Sequence, residues 1–169
     1  MVNAVAPVSA DQVYAWLQEV PDPEIPVLSV VDLGVVREVS WDGDACVVVI
    51  TPTYSGCPAM REITQDIRQT LERHGVPEVR VETRLAPAWT TDWMSEKGRE
   101  ALKGYGIAAP AERAIDISGI SRRATAPAIA CPRCGSRDTR LVSNFGSTSC
   151  KALYRCVSCH EPFDYFKTH

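Results

Sequence analysis

Three features of this sequence predict an α+β fold in two modules, a small α-β-β-α-β-α domain followed by a β-rich zinc-ribbon module. Apolar residues recur at helical spacing in three early segments, and strand-like runs lie between them. Two Cys-x-x-Cys pairs, Cys131/Cys134 and Cys156/Cys159, bracket 21 residues near the end of the chain. Charge is unevenly divided: residues 1–121 hold 10 Lys and Arg against 18 Asp and Glu, whereas residues 122–169 hold 8 against 3. An acidic part and a basic part imply modules that attract each other or attract different partners.

The first helix is expected from about Ser9 to Val20. Ser9 and Gln12 fit a capping box, Val8 and Val13 a hydrophobic staple, and Val13, Trp16, Leu17 and Val20 share a face. The stretch PDPEIP then stops it, because proline lacks the amide donor and fixes φ. GVVREVSW and ACVVVITP flank Asp42-Gly43-Asp44, a hairpin signal. The second of these strands is apolar on both faces and so belongs at the centre of its sheet.

A second helix is expected from about Pro58 to His74, with Met60, Ile63, Ile67 and Leu71 as its stripe and Gly75 as its stop. EVRVETRL alternates as a strand does, and TTDWMSEKGREALKGYG predicts a third helix capped by Thr91 or Asp92. This domain is expected to occupy residues 1–107. Residues 108–129, rich in Ala, Pro, Ser and Arg, read as a linker with an ordered patch at Ile115 to Ile120. Residues 130–169 hold three strand-like runs, TRLVSNF, CKALYRC and PFDYFK, and too few apolar residues for a core of their own. Something must staple them.

Cys131, Cys134, Cys156 and Cys159 supply the staple. A two-residue gap lets one tight turn present both sulfurs, and four thiolates at about 2.3 Å make a closed tetrahedral metal site. Zinc is expected, although four sulfurs also suit iron; visible absorption distinguishes them. Cys150, His160 and His169 are left over. Cys150 reads either as strand packing or as a spare ligand, and His160 as a surface side chain.

Cys57 stands in TPTYSGCPAM, between a strand and a helix. With Pro58 at the first helical position, Cys57 falls at the N-cap, where amide groups and the helix dipole would favour a thiolate. It is then either a reactive or metal-binding thiol or simply a small capping residue. Asp22 and Glu24, in PDPEIP, are turn residues unless the loop folds over Cys57 and offers carboxylates beside the thiol. Asp32 most simply initiates a turn, and Cys46, in mid-strand, belongs in the core. CPAM lacks the second cysteine of a thioredoxin motif, and His74 is a poor candidate base.

Other functions are disfavoured. No apolar run is long enough to span a membrane. The start MVNAVAPVSADQ has neither a basic region nor a sustained apolar one, so a cytoplasmic protein is expected. In that compartment seven cysteines read as ligands or reactive thiols. The formal charge of −3 carries no global nucleic-acid signal, and nucleic acid is not the expected partner of the basic last module.

DPEIPVLSVVDLGVVREV followed by TPTYSGCP resembles the iron–sulfur assembly domain of the SufT-like family over about residues 10–105. With PAWTTDWMSEKGREAL and the terminal CPRCGS and FGSTSCKALYRC, nearly the whole chain resembles the PaaD (PaaJ) family, the D components of the phenylacetyl-CoA epoxidase system. The resemblance implies an accessory protein of aerobic phenylacetate degradation with no catalytic activity alone. It implies help with iron–sulfur cluster assembly in the flavin-containing reductase component. By the same resemblance Cys57, Asp22 and Glu24 are the cluster-binding or reactive residues, and the four late cysteines hold structural zinc.

One thiolate per chain cannot complete a cluster, which needs four ligands. Any cluster would have to bridge two chains, as in a homodimer, borrow a partner's ligands, or use Cys150 or a carboxylate, and such incomplete ligation suits a transient cluster. The alternative is a structural subunit of the oxygenase complex with no cluster chemistry of its own.

Overall fold

The computed structural model describes residues 8–110 and 128–168. Most of the expected linker, including the patch at Ile115 to Ile120, lies outside the described residues. The chain divides into two compact units, Met1–Gly98 and Arg99–His169.

In the first unit, helix α1 spans Ala10–Leu17. Ser9 caps it, its Oγ accepting the Gln12 amide at 3.2 Å. Val13 and Leu17 are fully buried, and Trp16 stacks on His74 at 4.6 Å between ring centroids. The chain then runs through a loop whose apolar side chains Ile25, Leu28, Val30 and Leu33 are buried in turn.

Strands β1 (Val36–Asp42) and β2 (Ala45–Ile50) form the expected hairpin, with Asp42 opposite Ala45. Gly43 takes φ +61° at the first turn position, the conformation of a type II′ turn, whose twist suits paired strands. All six residues of β2 are buried, and β2 is the central strand of the order β1-β2-β3. Helix α2 (Met60–Arg73) crosses over to bring β3 (Val79–Thr83) parallel to β2. Its stripe of Ile63, Ile67 and Leu71 is buried, each side chain contributing about 1.5–3 kcal/mol by leaving water. The helix ends as Gly75 predicts: that residue adopts φ +88°, its amide bonds Glu72 O, and the Val76 amide reaches back to Leu71 O at 3.0 Å.

The third helix differs in its start. Thr91–Trp93 form a single 3-10 turn, and α3 begins at Glu96 and runs to Gly104. Its cap is Ser95, whose Oγ accepts the Gly98 amide at 2.9 Å, rather than Thr91 or Asp92. The division between the two units falls within α3.

The second unit is a three-stranded antiparallel sheet in the order β4 (Thr139–Ser143), β5 (Lys151–Cys156), β6 (Pro162–Phe166). Ala108, expected in the linker, bridges to Tyr165: its amide bonds Asp164 O at 2.8 Å and its carbonyl accepts the Phe166 amide at 3.0 Å. One buried cluster gathers Ala108, Ile129, Ala152, Phe163 and Tyr165 around Cys131 and Cys156, and Phe166 of β6 is fully buried as well.

Candidate metal centre and thiol site

The two Cys-x-x-Cys turns bring four sulfurs together. The Cys131 and Cys159 Sγ atoms are 3.8 Å apart and those of Cys134 and Cys156 3.6 Å, with all four ligand atoms within 4.8 Å of one another. A disulfide would need about 2.05 Å. Four sulfurs at about 2.3 Å from one ion form a tetrahedron with edges of about 3.8 Å. Two of the six sulfur–sulfur distances already match that edge, so the quartet is arranged to take a tetrahedral metal ion.

The local sequence explains the approach. Each pair forms a knuckle whose following residue takes a left-handed backbone: Gly135 at φ +74° and His160 at φ +64°. Histidine is among the few larger residues that tolerate this region. His160 thus completes a turn and is exposed, as expected of a surface side chain, and it is not among the clustered ligands. The knuckles are tied together by a 2.8 Å hydrogen bond between the Ser136 and Ser158 hydroxyls. The Cys159 amide beside the Cys156 sulfur draws that thiol down to about 6. Cys159 receives the Glu161 amide, which favours its thiolate, yet burial and the neighbouring sulfurs push it up to about 12. Cys150 lies outside the quartet; it is buried, with its Sγ 3.0 Å from Thr148 Oγ1.

Cys57 is half-buried in the loop joining β2 to α2. Its amide donates to Tyr54 O at 3.1 Å and its carbonyl accepts from Met60 at 3.5 Å. The expected N-cap role is corrected: the cap is Ala59, already in helical conformation, whose side chain accepts nothing. Pro58 and Ala59 wind one turn before the helix begins, so the thiol precedes the helical segment by that turn.

Asp22 is buried, and its Oδ1 accepts the amides of Glu24 at 2.9 Å and Ile25 at 2.8 Å. One carboxylate oxygen thereby shapes the loop, the turn role its sequence suggests. Glu24 is half-buried in the same loop. His74, 3.0 Å from Glu19 and stacked on Trp16, is held in the packing of α1 on α2. Cys46 is fully buried in β2, and burial pushes its thiol up.

A polar cluster around Asp32 is more extensive than a turn. Asp32 is buried; its Oδ1 accepts the Ser95 hydroxyl at 2.7 Å, and its Oδ2 lies 2.9 Å from Ser29 Oγ and 3.1 Å from Lys97 Nζ. Its carbonyl accepts the Ser95 amide at 2.8 Å. The sequence signal was a carboxylate set in the apolar run VVDLGVV, a residue that must find partners once buried. Burial opposes its ionisation, but hydrogen bonds from Ser95, Ser29 and Lys97 outweigh burial and hold the carboxyl below the usual range.

Asp32→Asn should cost about 1–3 kcal/mol at neutral pH, because the amide has one accepting oxygen where the carboxylate has two and carries no charge to pair with Lys97. The carboxylate's contribution is present above its unfolded pKa, near 4, and lost as pH falls through the lower folded value. Urea unfolding of both proteins at neutral and acid pH should therefore show the gap closing in acid.

Such a chain is a two-part protein, an α+β domain with a four-cysteine metal site on an added ribbon. A family model described as an iron–sulfur cluster assembly protein matches residues 10–83, and a PaaD zinc beta ribbon domain matches residues 117–167. The chain belongs to the PaaD family of phenylacetyl-CoA epoxidase components. It is 49% identical over 163 residues, 96% of this chain and 95% of the other, to an Escherichia coli (strain K12) protein named for the D component of a 1,2-phenylacetyl-CoA epoxidase.

It is also 38% identical over 89 residues, 52% of this chain and 84% of the relative, to an "Fe-S protein maturation auxiliary factor" of Porphyromonas gingivalis. Among solved structures, a Bacillus anthracis DUF59 domain of unknown function superposes with a TM-score of 0.51 at 33% identity, covering 54% of this chain and 89% of that one. The assembly model's residues 10–83 fall within the first unit.

Proposed function

We propose that the chain is an accessory maturation factor of a phenylacetyl-CoA epoxidase, acting in the cytoplasm to assist iron–sulfur cluster assembly in the reductase component through Cys57. The carrying observation is a half-buried cysteine at the β2–α2 junction of a domain that an iron–sulfur assembly model matches over residues 10–83. In this reading the cluster is cargo. The Cys57 thiolate contributes one ligand, and the remaining ligands come from a second chain or from the client. Incomplete ligation suits release. Asp22 sets the loop that carries Glu24, and these two are assigned to the same cargo site. The ribbon quartet holds zinc as a permanent structural ion.

Among the described residues no helix is long and apolar enough to cross a membrane. The partners in this reading are the other epoxidase components, the iron–sulfur flavin reductase foremost. A second reading, a structural subunit with no cluster chemistry, is favoured by the 49% identity to an epoxidase component across 96% of the chain.

Cys57→Ser separates the two. Reductase produced beside the variant should carry as little iron and sulfide as reductase produced without the protein, while the variant keeps its ribbon zinc. Full cluster occupancy in the reductase would sink the maturation role and leave the structural one. Iron and sulfide analysis of anaerobically purified protein is the measurement.

A further inference from the structure

The geometry points to the open edge of the ribbon sheet, strand β4, as a docking site for an extended acidic segment of a partner protein. This proposal does not depend on cluster chemistry at Cys57. The sheet has two edges. That of β6 is engaged by Ala108, which exchanges backbone hydrogen bonds with Asp164 and Phe166. Strand β4 is the other edge, and among the described residues it pairs only with β5.

Its surroundings are apolar and cationic. Leu141, Val142 and Phe145 are 48%, 58% and 68% exposed, the last with Lys167 Nζ 5.0 Å from its ring centre. A register shift between Leu141 and Ser143 makes Val142 the extra residue of a bulge. Bulges and charges often blunt an edge against association, but a blunted edge has no need of three exposed apolar side chains.

The charge pattern selects the occupant. Arg140 on β4 stands directly opposite Arg155 on β5, both exposed. Like charges in that position destabilise a sheet. Arg155 spends its Nε on the His160 carbonyl at 3.3 Å. Among the described residues none of Arg133, Arg137, Arg140 and Arg155 forms an ion pair with a carboxylate. A strand laid along β4 would pair its backbone with the open edge, and its carboxylates would neutralise the Arg140–Arg155 pair while alternate apolar residues met Leu141 or Val142. On the strand itself the exposed apolar side chains, Leu141 and Val142, are aliphatic, which favours a polypeptide; the single exposed ring beside them, Phe145, has Lys167 over it and offers no series of stacking surfaces.

The test uses the full chain with its metal bound, labelled for amide NMR, and a blocked peptide alternating Glu and Val. A Lys/Val peptide and single-stranded oligothymidylate are the controls. The Glu/Val peptide should bind, shift amides of residues 139–145 and weaken with added salt. In the Arg140→Glu/Arg155→Glu double variant, affinity should fall about tenfold, the sum of two surface ion pairs. Retained metal and an unchanged amide spectrum away from β4 verify its fold, and Arg140→Gln/Arg155→Gln serves should the reversal disturb the sheet. Absence of peptide binding up to millimolar concentration, undiminished binding to a folded variant, equal binding of the Lys/Val peptide, or preference for oligothymidylate would each overturn the proposal.

Discussion

Cys156→Ser is expected to unfold the ribbon, residues 128–168, while residues 8–98 keep their protected amides. Three strands of five or six residues are marginal as an independent sheet. Among the described residues, the buried cluster around the ligands contains five residues that are not ligands, two of them alanines, and is closed by Cys131 and Cys156 themselves. Removing one sulfur therefore removes part of the core as well as a bond. A four-cysteine zinc site supplies about 10–16 kcal/mol of apparent folding free energy at neutral pH, more than the whole stability of most small domains. No repacking of Ile129, Phe163 and Tyr165 offsets a loss of that size.

Prolonged treatment with a strong chelator should have the same effect without any substitution, and readdition of zinc should reverse it. Amide hydrogen exchange read residue by residue, together with metal analysis, is the measurement. A ribbon that stays protected after its metal content reaches zero would show that the ion is not the staple. Cys150→Ser is the matched control: its sulfur is buried but outside the quartet, so metal content should stay at one ion per chain.

The four ligands were legible because their spacing is itself the geometry: two tight turns present four sulfurs whatever the rest of the chain does. The α2 stripe and the central β2 were legible for a similar reason, since periodicity reports burial directly. What failed were the choices a tertiary contact makes among equivalent local signals. Thr91, Asp92 and Ser95 are all good helix caps by type. Ser95 wins because Asp32, 63 residues earlier, takes its hydroxyl and its amide and fixes where the helix starts. Cys57 was displaced from the cap by the same kind of ambiguity, since proline starts a single turn as readily as a helix. Asp32 looked like a turn former, and only its burial shows it to be the centre of a cluster.

Gly34→Ala should be the most damaging single-methyl change in the first unit. Gly34 has φ +76°, where an L-residue costs about 1–2 kcal/mol because its Cβ crowds the backbone. The added carbon would also lie 2.8 Å from the Trp93 carbonyl carbon and 2.9 Å from Trp93 Cβ, closer still to the carbonyl oxygen, and these are backbone or near-backbone atoms that cannot swing aside. Trp93 is fixed in turn: Arg37 lies 3.5 Å over its ring, and its amide bonds Thr90 O at 3.1 Å. Relief would require parting the Asp32–Gly34 loop from the 89–95 segment. That would strain the Trp89 Nε1 bond to Leu33 O, 3.1 Å, and the Asp32–Ser95 bonds.

Overpacking of this kind costs about 1–3 kcal/mol, so the total is about 2–5 kcal/mol against a stability of about 5–15. Gly43→Ala separates the two terms. Gly43 has φ +61° and nothing within 4 Å of an added Cβ, so only the backbone term of about 1–2 kcal/mol remains there. Urea midpoints of the two variants, read on a probe in the first unit, should differ accordingly. Equal losses at the two sites would mean that the loop can yield, and that the contact between Gly34 and Trp93 does not hold the DLG segment in place.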